Sequence, residues 1–156
     1  SALSLIPWFM IWLTSLEEEH PVFEDASEVL VFLEMEDGGG EMSRLFADSA
    51  EDDVMVEDGE QLKKIRNRLL RLCALYLLEE KRGPQARDRV AHFHLTNGAI
   101  VRQINWAADL SDKGMEQSAG MMVNYLYDLT KIEKNHEAYS SQGEIASTSS
   151  VRKLMK

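Results

Sequence analysis

Between residues 60 and 81 the apolar positions return every three or four residues: Leu62, Ile65, Leu69, Leu72, Cys73, Tyr76 and Leu77. That is the period of an α-helix with one buried stripe. Lys63, Lys64, Arg66, Arg68 and Arg71 fall between them, on the opposite face. Arg82-Gly83-Pro84 then stops the pattern, with basic charge near the C-terminus and Gly and Pro beyond it. The pattern predicts a helix over 60–81, long enough to scaffold the domain.

The pattern changes after this helix. Residues 90–95 alternate roughly between apolar and polar, and Asn97-Gly98 separates them from a second apolar run over 99–106. Alternation around Asn-Gly predicts a β-hairpin, because Asn-Gly accepts the positive φ angles of a type I′ turn. A second helix is expected over 114–129, entered through Ser111-Asp112-Lys113-Gly114, with helical pieces over 133–138 and 147–156. At the other end, residues 1–16 read as an extended start that turns at Pro7 into an amphipathic helix over 9–16, broken by His20-Pro21. A short helix is expected over 28–36. Gly38-Gly39-Gly40 reads as a break, and 47–59 as a mobile acidic loop within a partly flexible acidic segment over 34–60. There is no internal repeat. Helix, hairpin, helix in that order predicts an α+β fold rather than a doubly wound parallel sheet.

Composition narrows the function classes. A chain of 156 residues can bury one core, and 44% hydrophobic with 28% charged residues is ordinary for a globular domain. The net charge of −10 conceals a division. Residues 17–60 hold 17 of the 27 acidic groups and one basic group, Arg44, whereas 61–156 hold 16 basic groups against 10 acidic ones. The acidic segment argues against nucleic acid as a partner, while the basic body tolerates a small anion. The single cysteine, Cys73, excludes an internal disulfide and a cysteine-rich zinc site, and its leucine-rich surroundings make it a core residue. No segment has the length of a membrane span; the apolar run over 3–16 is short, interrupted by Pro7 and without a basic start. Because the chain opens at Ser1 rather than Met, it reads as a fragment or a processed form.

Two features could carry chemistry. His92 and His94, two apart on the expected strand, would share one face. As a metal pair they lack a third ligand at recognisable spacing. As structural histidines they need no further comment, and as acid/base catalysts they suit the chemistry because histidine in general titrates near neutral pH. His94 is the favoured candidate. The second feature runs over 109–120, Asp-Leu-Ser-Asp-Lys-Gly-Met-Glu-Gln-Ser-Ala-Gly. Small residues at a helix entrance can turn backbone N–H groups toward a phosphate, and Lys113 can supply a counter-charge; an ordinary helix cap reads the same way.

The run His-Phe-His-Leu-x-Asn-Gly-Ala at 92–99 is followed by Arg-x-Ile-Asn-Trp-x-Ala-Asp at 102–109. After these come Ser-Ala-Gly-Met-Met-Val-Asn-Tyr-Leu-Tyr-Asp-Leu at 118–129 and Asn-His-Glu-Ala-Tyr at 135–139. Together they closely resemble the C-terminal end of malonyl-CoA decarboxylases. The resemblance covers 62–156 well and extends to Ala-Leu-Ser-Leu-Ile-Pro-Trp-Phe at 2–9. It implies that residues 1–156 are the C-terminal part of a catalytic domain with a mixed sheet flanked by helices, similar to the GNAT acetyltransferase fold and incomplete on its N-terminal side. It also implies decarboxylation of malonyl-CoA to acetyl-CoA with no metal or organic cofactor, in a cytoplasmic homo-oligomer of bacterial type. By position, His94 is the proton donor, Ser4 positions the malonyl carboxylate and Tyr127 supports the pocket. Lys113, Gly114, Ser118, Ala119 and Gly120 are the expected CoA phosphate loop. The alternatives are a CoA-dependent acyltransferase of the same fold or a non-catalytic CoA-binding remnant. This sequence departs from the family pattern at Leu5 and Trp8, in place of Pro and Gly, and at Arg89, in place of Pro.

Overall fold

A computed structural model describes residues 2–19, 22–23 and 53–156. Strand β1 (Ala2–Leu5) leads through a turn at Pro7-Trp8 into helix α1 (Phe9–Glu19), as the sequence predicts. The expected helix over 28–36 and the break at 38–40 lie outside the described residues.

Helix α2 (Asp53–Leu78) carries the predicted stripe: Leu62, Ile65, Leu69, Cys73, Tyr76 and Leu77 are all buried. It starts earlier than expected, so residues 53–59 are helical and not part of the acidic loop. Propagating an existing helix costs far less than nucleating one, and a strongly packed stripe can extend the helix into sequence that would not fold alone. Phe9 and Trp12 of α1 meet Tyr76 at ring centroid distances of 5.7 and 5.2 Å, which fixes α1 across α2. Burying such rings contributes on the order of 1.5–3 kcal/mol each.

Beyond α2 the chain forms a small hairpin, β2 (Lys81–Arg82) and β3 (Gln85–Ala86), turning at Gly83-Pro84. Helix α3 (Arg89–Thr96), strand β4 (Ile100–Asn105), helix α4 (Asp112–Ser118) and strand β5 (Met122–Leu126) follow. Helices α5 (Ile132–Gln142) and α6 (Ser149–Lys153) end the chain, matching the two helical pieces expected there. The main sheet has the order β1-β5-β4, antiparallel throughout the strands, with one isolated parallel bridge between Val101 and Ser147. The α+β class holds.

Two expectations fail. Residues 90–95 are not the first arm of a hairpin but lie within α3. Ala91 and Leu95, four apart, are its buried positions, so the apolar residues were keeping helical rather than strand spacing. Asn97-Gly98 ends the helix instead of turning a hairpin. Gly98 N–H donates to the Leu95 carbonyl at 3.0 Å and Ala99 N–H to the His94 carbonyl at 3.0 Å, a Schellman closure with Gly98 at φ +87°. Arg89 occupies the first turn-forming position of α3, where a proline is also at home. The second failure is the helix over 114–129. Helix α4 stops at Ser118, and Met122–Leu126 form β5, the central strand. The Val-Asn-Tyr-Leu-Tyr alternation is a strand signal, with Val123 and Tyr125 buried on one face.

Candidate functional site

Helix α3 is fixed from its first residue. The carboxyl of Asp88, fully buried, caps it: Oδ1 accepts from Ala91 N–H at 2.9 Å and Oδ2 from the Tyr76 hydroxyl at 3.1 Å. Burial pushes the Asp88 pKa up, and the bonds from Ala91, Tyr76 and Val90 oppose that shift. The cap ties α3 to α2 and thereby sets where the histidines of α3 stand.

On a helix, residues two apart lie about 200° apart around the axis. His92 and His94 therefore do not share a face, contrary to the strand reading. His92 Nδ1 meets the Tyr139 hydroxyl of α5 at 2.6 Å, and that hydroxyl also accepts the Ala86 N–H at 2.9 Å. His94 points to the sheet. Its ring stacks on Tyr125 of β5, with centroids 4.2 Å apart and planes at 18°, and its Nδ1 meets the Tyr127 hydroxyl at 2.5 Å. Burial lowers the His94 pKa from the usual histidine range and raises that of Tyr127. The Tyr125 hydroxyl is pushed well above the tyrosine range, by burial first and by the Asp88 charge second.

Ser4 enters through strand register. Ser4 pairs with Val123 and Ala2 with Tyr125, so Ser4, Val123 and Tyr125 share one face of the sheet. Ser4 is thus a diagonal neighbour of the ring on which His94 stacks, a relation that puts Cα atoms roughly 7–8 Å apart. Sequence reasoning named Ser4, His94 and Tyr127, and the fold gathers all three around Tyr125. Tyr125 itself was missed, although it lies in the alternating run Val-Asn-Tyr-Leu-Tyr, two residues before Tyr127, which follows β5 directly. Asp88 was also missed; the signal was an Asp three residues before Ala91, legible as a cap once a helix is assigned.

The loop over 109–120 differs from the expectation in how it uses its groups. Ser111 caps α4 by accepting Gly114 N–H at 3.2 Å; Gly120 N–H goes to the Gly114 carbonyl at 3.0 Å and Ala119 N–H to Met115 at 3.2 Å. Ser118 is fully buried, and its Oγ accepts the Ile6 N–H at 3.0 Å, fastening the end of β1. A Cβ on Gly114 would sit 2.2 Å from the Asp109 carbonyl oxygen. The glycine is required by the loop's own backbone, and Gly114→Val would test folding rather than phosphate binding. Lys113 is exposed. Among the described residues no group of three His, Cys, Asp or Glu side chains could hold a metal, and no helix is long and apolar enough to cross a membrane.

Comparison with known proteins agrees with the sequence resemblance. The family model described as malonyl-CoA decarboxylase C-terminal domain matches residues 1–156. The mitochondrial malonyl-CoA decarboxylase of Anser anser anser is 35% identical over 159 residues, covering 97% of this chain and 31% of its own. That of Rattus norvegicus is 33% identical, over 99% of this chain and 32% of its own. Among solved structures, malonyl-CoA decarboxylase from Rhodopseudomonas palustris aligns with a TM-score of 0.69 at 38% identity, over 97% of this chain and 32% of that one. The Agrobacterium vitis enzyme aligns with a TM-score of 0.68 at 33% identity, over 99% of this chain and 35% of that one. This chain thus spans about a third of the length of these relatives. With its whole length inside the match and its fold shared with the solved structures, the chain belongs to the malonyl-CoA decarboxylase C-terminal domain family.

Proposed function

We propose that the protein carrying this chain decarboxylates malonyl-CoA to acetyl-CoA and carbon dioxide, with His94 donating the proton, Ser4 holding the malonyl carboxylate and Tyr127 orienting His94. The observation that carries the reading is the clamp on His94: a stacked ring on one side and a hydroxyl on Nδ1, on the sheet face that also bears Ser4. Family membership supplies the substrate class.

The chemistry fits these groups. The bond between the α-carbon and the carboxylate breaks, its electron pair enters the thioester as an enolate, and carbon dioxide leaves. The carbon then takes a proton from His94 Nε2, and solvent reprotonates the ring. The thioester is the electron sink, so the step calls for no cofactor. A hydroxyl near the carboxylate holds it out of the carbonyl plane, where cleavage is aligned with the π system. With the His94 pKa lowered by burial, the free site holds a neutral ring at pH 7. The incoming carboxylate favours the imidazolium, so substrate binding draws a proton from solvent onto the ring. The Tyr127 hydroxyl can donate to a neutral Nδ1 or accept from a protonated one, which keeps the ring oriented in both states. Lys113, exposed at the start of α4, is the one group of the 113–120 loop that this reading keeps as a counter-charge for CoA phosphate.

The test is release of carbon dioxide from malonyl-CoA with no amine present. Turnover only with an amine acceptor would make the protein an acyltransferase, and CoA binding with no turnover of either kind would make it a binder. Calorimetry in two buffers of different ionisation enthalpy should show proton uptake on substrate binding at pH 7, absent from His94→Asn.

A further inference from the structure

Lined by residues of α1 and α2, the β2–β3 hairpin and the start of α3, and by neither His94 nor Tyr127, lies a cavity of about 70 Å³. Its aromatic wall is Trp8, Trp12 and Tyr76, and three arginines line it: Arg82, Arg87 and Arg89. Arg87 has a long ion pair with Glu80, at 3.8 Å. Neither Arg82 nor Arg89 has an ion-pair partner among the described residues, and both are exposed. The acid between Arg87 and Arg89 in sequence cannot neutralise them, because both Asp88 oxygens are turned inward to Ala91 and Tyr76. Like charges gathered without a counter-ion repel one another; an anion placed among them turns that repulsion into attraction. Guanidinium groups also present planar pairs of donors that match phosphate or carboxylate oxygens.

The aromatic side narrows the ligand further. Trp8 is 41% exposed at the cavity, and Ile11 beside it is 67% exposed. A large ring left in water next to an arginine cluster offers a stacking surface for a flat group. Liquid water occupies roughly 30 Å³ per molecule, so the enclosed part has room for about one phosphate group, with the flat group resting outside on Trp8. Two of these residues, Trp8 and Arg89, are among the three departures noted from the family pattern, and they lie 81 positions apart in the chain. Their meeting in one cavity gives this chain an aromatic face and a cation together.

We propose that this cavity is a binding site for a phosphate monoester carried on a flat ring, as in a nucleotide, with the phosphate held by Arg82, Arg87 and Arg89 and the ring on Trp8. The site is distinct from the His94 clamp and does not rest on the decarboxylation reading. The same chemistry is offered by a free nucleotide and by the nucleotide end of CoA.

The test uses adenosine 5′-monophosphate as probe, with binding followed by calorimetry. Saturable binding is expected. Arg82→Ala/Arg89→Ala should weaken it by about 10-fold or more, the scale of losing charge-assisted hydrogen bonds. Trp8→Ala should weaken it several-fold and Trp8→Phe much less, since phenyl also stacks. Inorganic phosphate should bind more weakly than the nucleotide. Circular dichroism of each variant should match the parent, which keeps folding out of the result. Absence of saturable binding, or affinity unchanged in the double arginine variant, overturns the site. Equal affinity for inorganic phosphate and the nucleotide overturns the role of the ring. Competition by CoA identifies the occupant as CoA's own nucleotide end, and binding that persists under saturating CoA identifies a separate nucleotide; each supports the site.

Discussion

Helix α3 holds two histidines against two tyrosines, and the pairs are alike in length but not in what surrounds them. His92 and Tyr139 are 2.6 Å apart, and His94 and Tyr127 are 2.5 Å apart. The Tyr139 hydroxyl has a second task, because it receives the Ala86 N–H and so joins α5 to the small hairpin. The Tyr127 hydroxyl bonds only His94 among the described residues. His94 also has a stacked partner in Tyr125, and burial depresses its pKa. One pair is a brace between elements. The other holds its ring from two sides at once, by stacking on Tyr125 and by the Tyr127 hydroxyl, which is the orientation the proposed proton donor requires.

The contrast is sharpest in the histidines themselves. His94→Asn is expected to lower decarboxylation by about 10²–10⁴-fold, the usual contribution of a positioned acid, while CoA affinity stays within a few-fold. Turnover close to normal, measured as carbon dioxide released, would end the assignment. Next in size is Tyr139→Phe, which leaves the Ala86 N–H without its acceptor. It should cost about 1–3 kcal/mol in a denaturant titration, with turnover per folded molecule unchanged. If activity fell and stability did not, the brace reading would be wrong. Tyr127→Phe should reverse that signature: about 10-fold lower kcat, from a ring no longer held, with stability little changed. His92→Gln keeps a group able to bond Tyr139 and should cost less than about 1 kcal/mol.

The smallest effect is in the pH dependence. Because the folded pKa of His94 lies below the unfolded value near 6.5, folding favours the neutral ring. Stability from this group is fully present above about pH 6.5. It declines as the pH falls below that value, until the folded pKa is passed. Thermal melts of the parent and His94→Asn at pH 7.5 and 5.5 should show the parent losing more on acidification. An equal loss would mean that burial does not disfavour the charged ring.

Much of this was legible in the chain, and the errors have one physical source. The α2 stripe was read correctly because seven apolar residues over sixteen positions fit only one period. The six residues Val90–Leu95 are too few to separate periods 2 and 3.6, and Asn97-Gly98 serves a hairpin and a helix end equally well. The decisive signals were Asp88 as a cap and the four-residue step from Ala91 to Leu95. Assigning 114–129 as one helix overlooked Ala119, in the left-handed region at φ +53°, and the alternation that follows it. Ser4, His94 and Tyr127 could be named from the family resemblance. Their common neighbour Tyr125 needed the register of β1 on β5, a long-range property that no local window contains.

The bond from Ile6 N–H to Ser118 Oγ spans 112 positions of the chain. Closing so long a loop costs chain entropy before any contact rewards it, so contacts of this range slow folding and tend to form late. Among the described residues, strand β1 is also an edge strand of four residues, paired with β5 alone. Its amides should exchange with solvent faster than those of β5, through openings that release β1 while the α2–β4–β5 centre stays folded. Ser4 rides on that strand. If Ser4 holds the malonyl carboxylate as proposed, the rate of turnover would report how much of the time the first strand is docked, and activity would fade on warming before the spectroscopic melt begins.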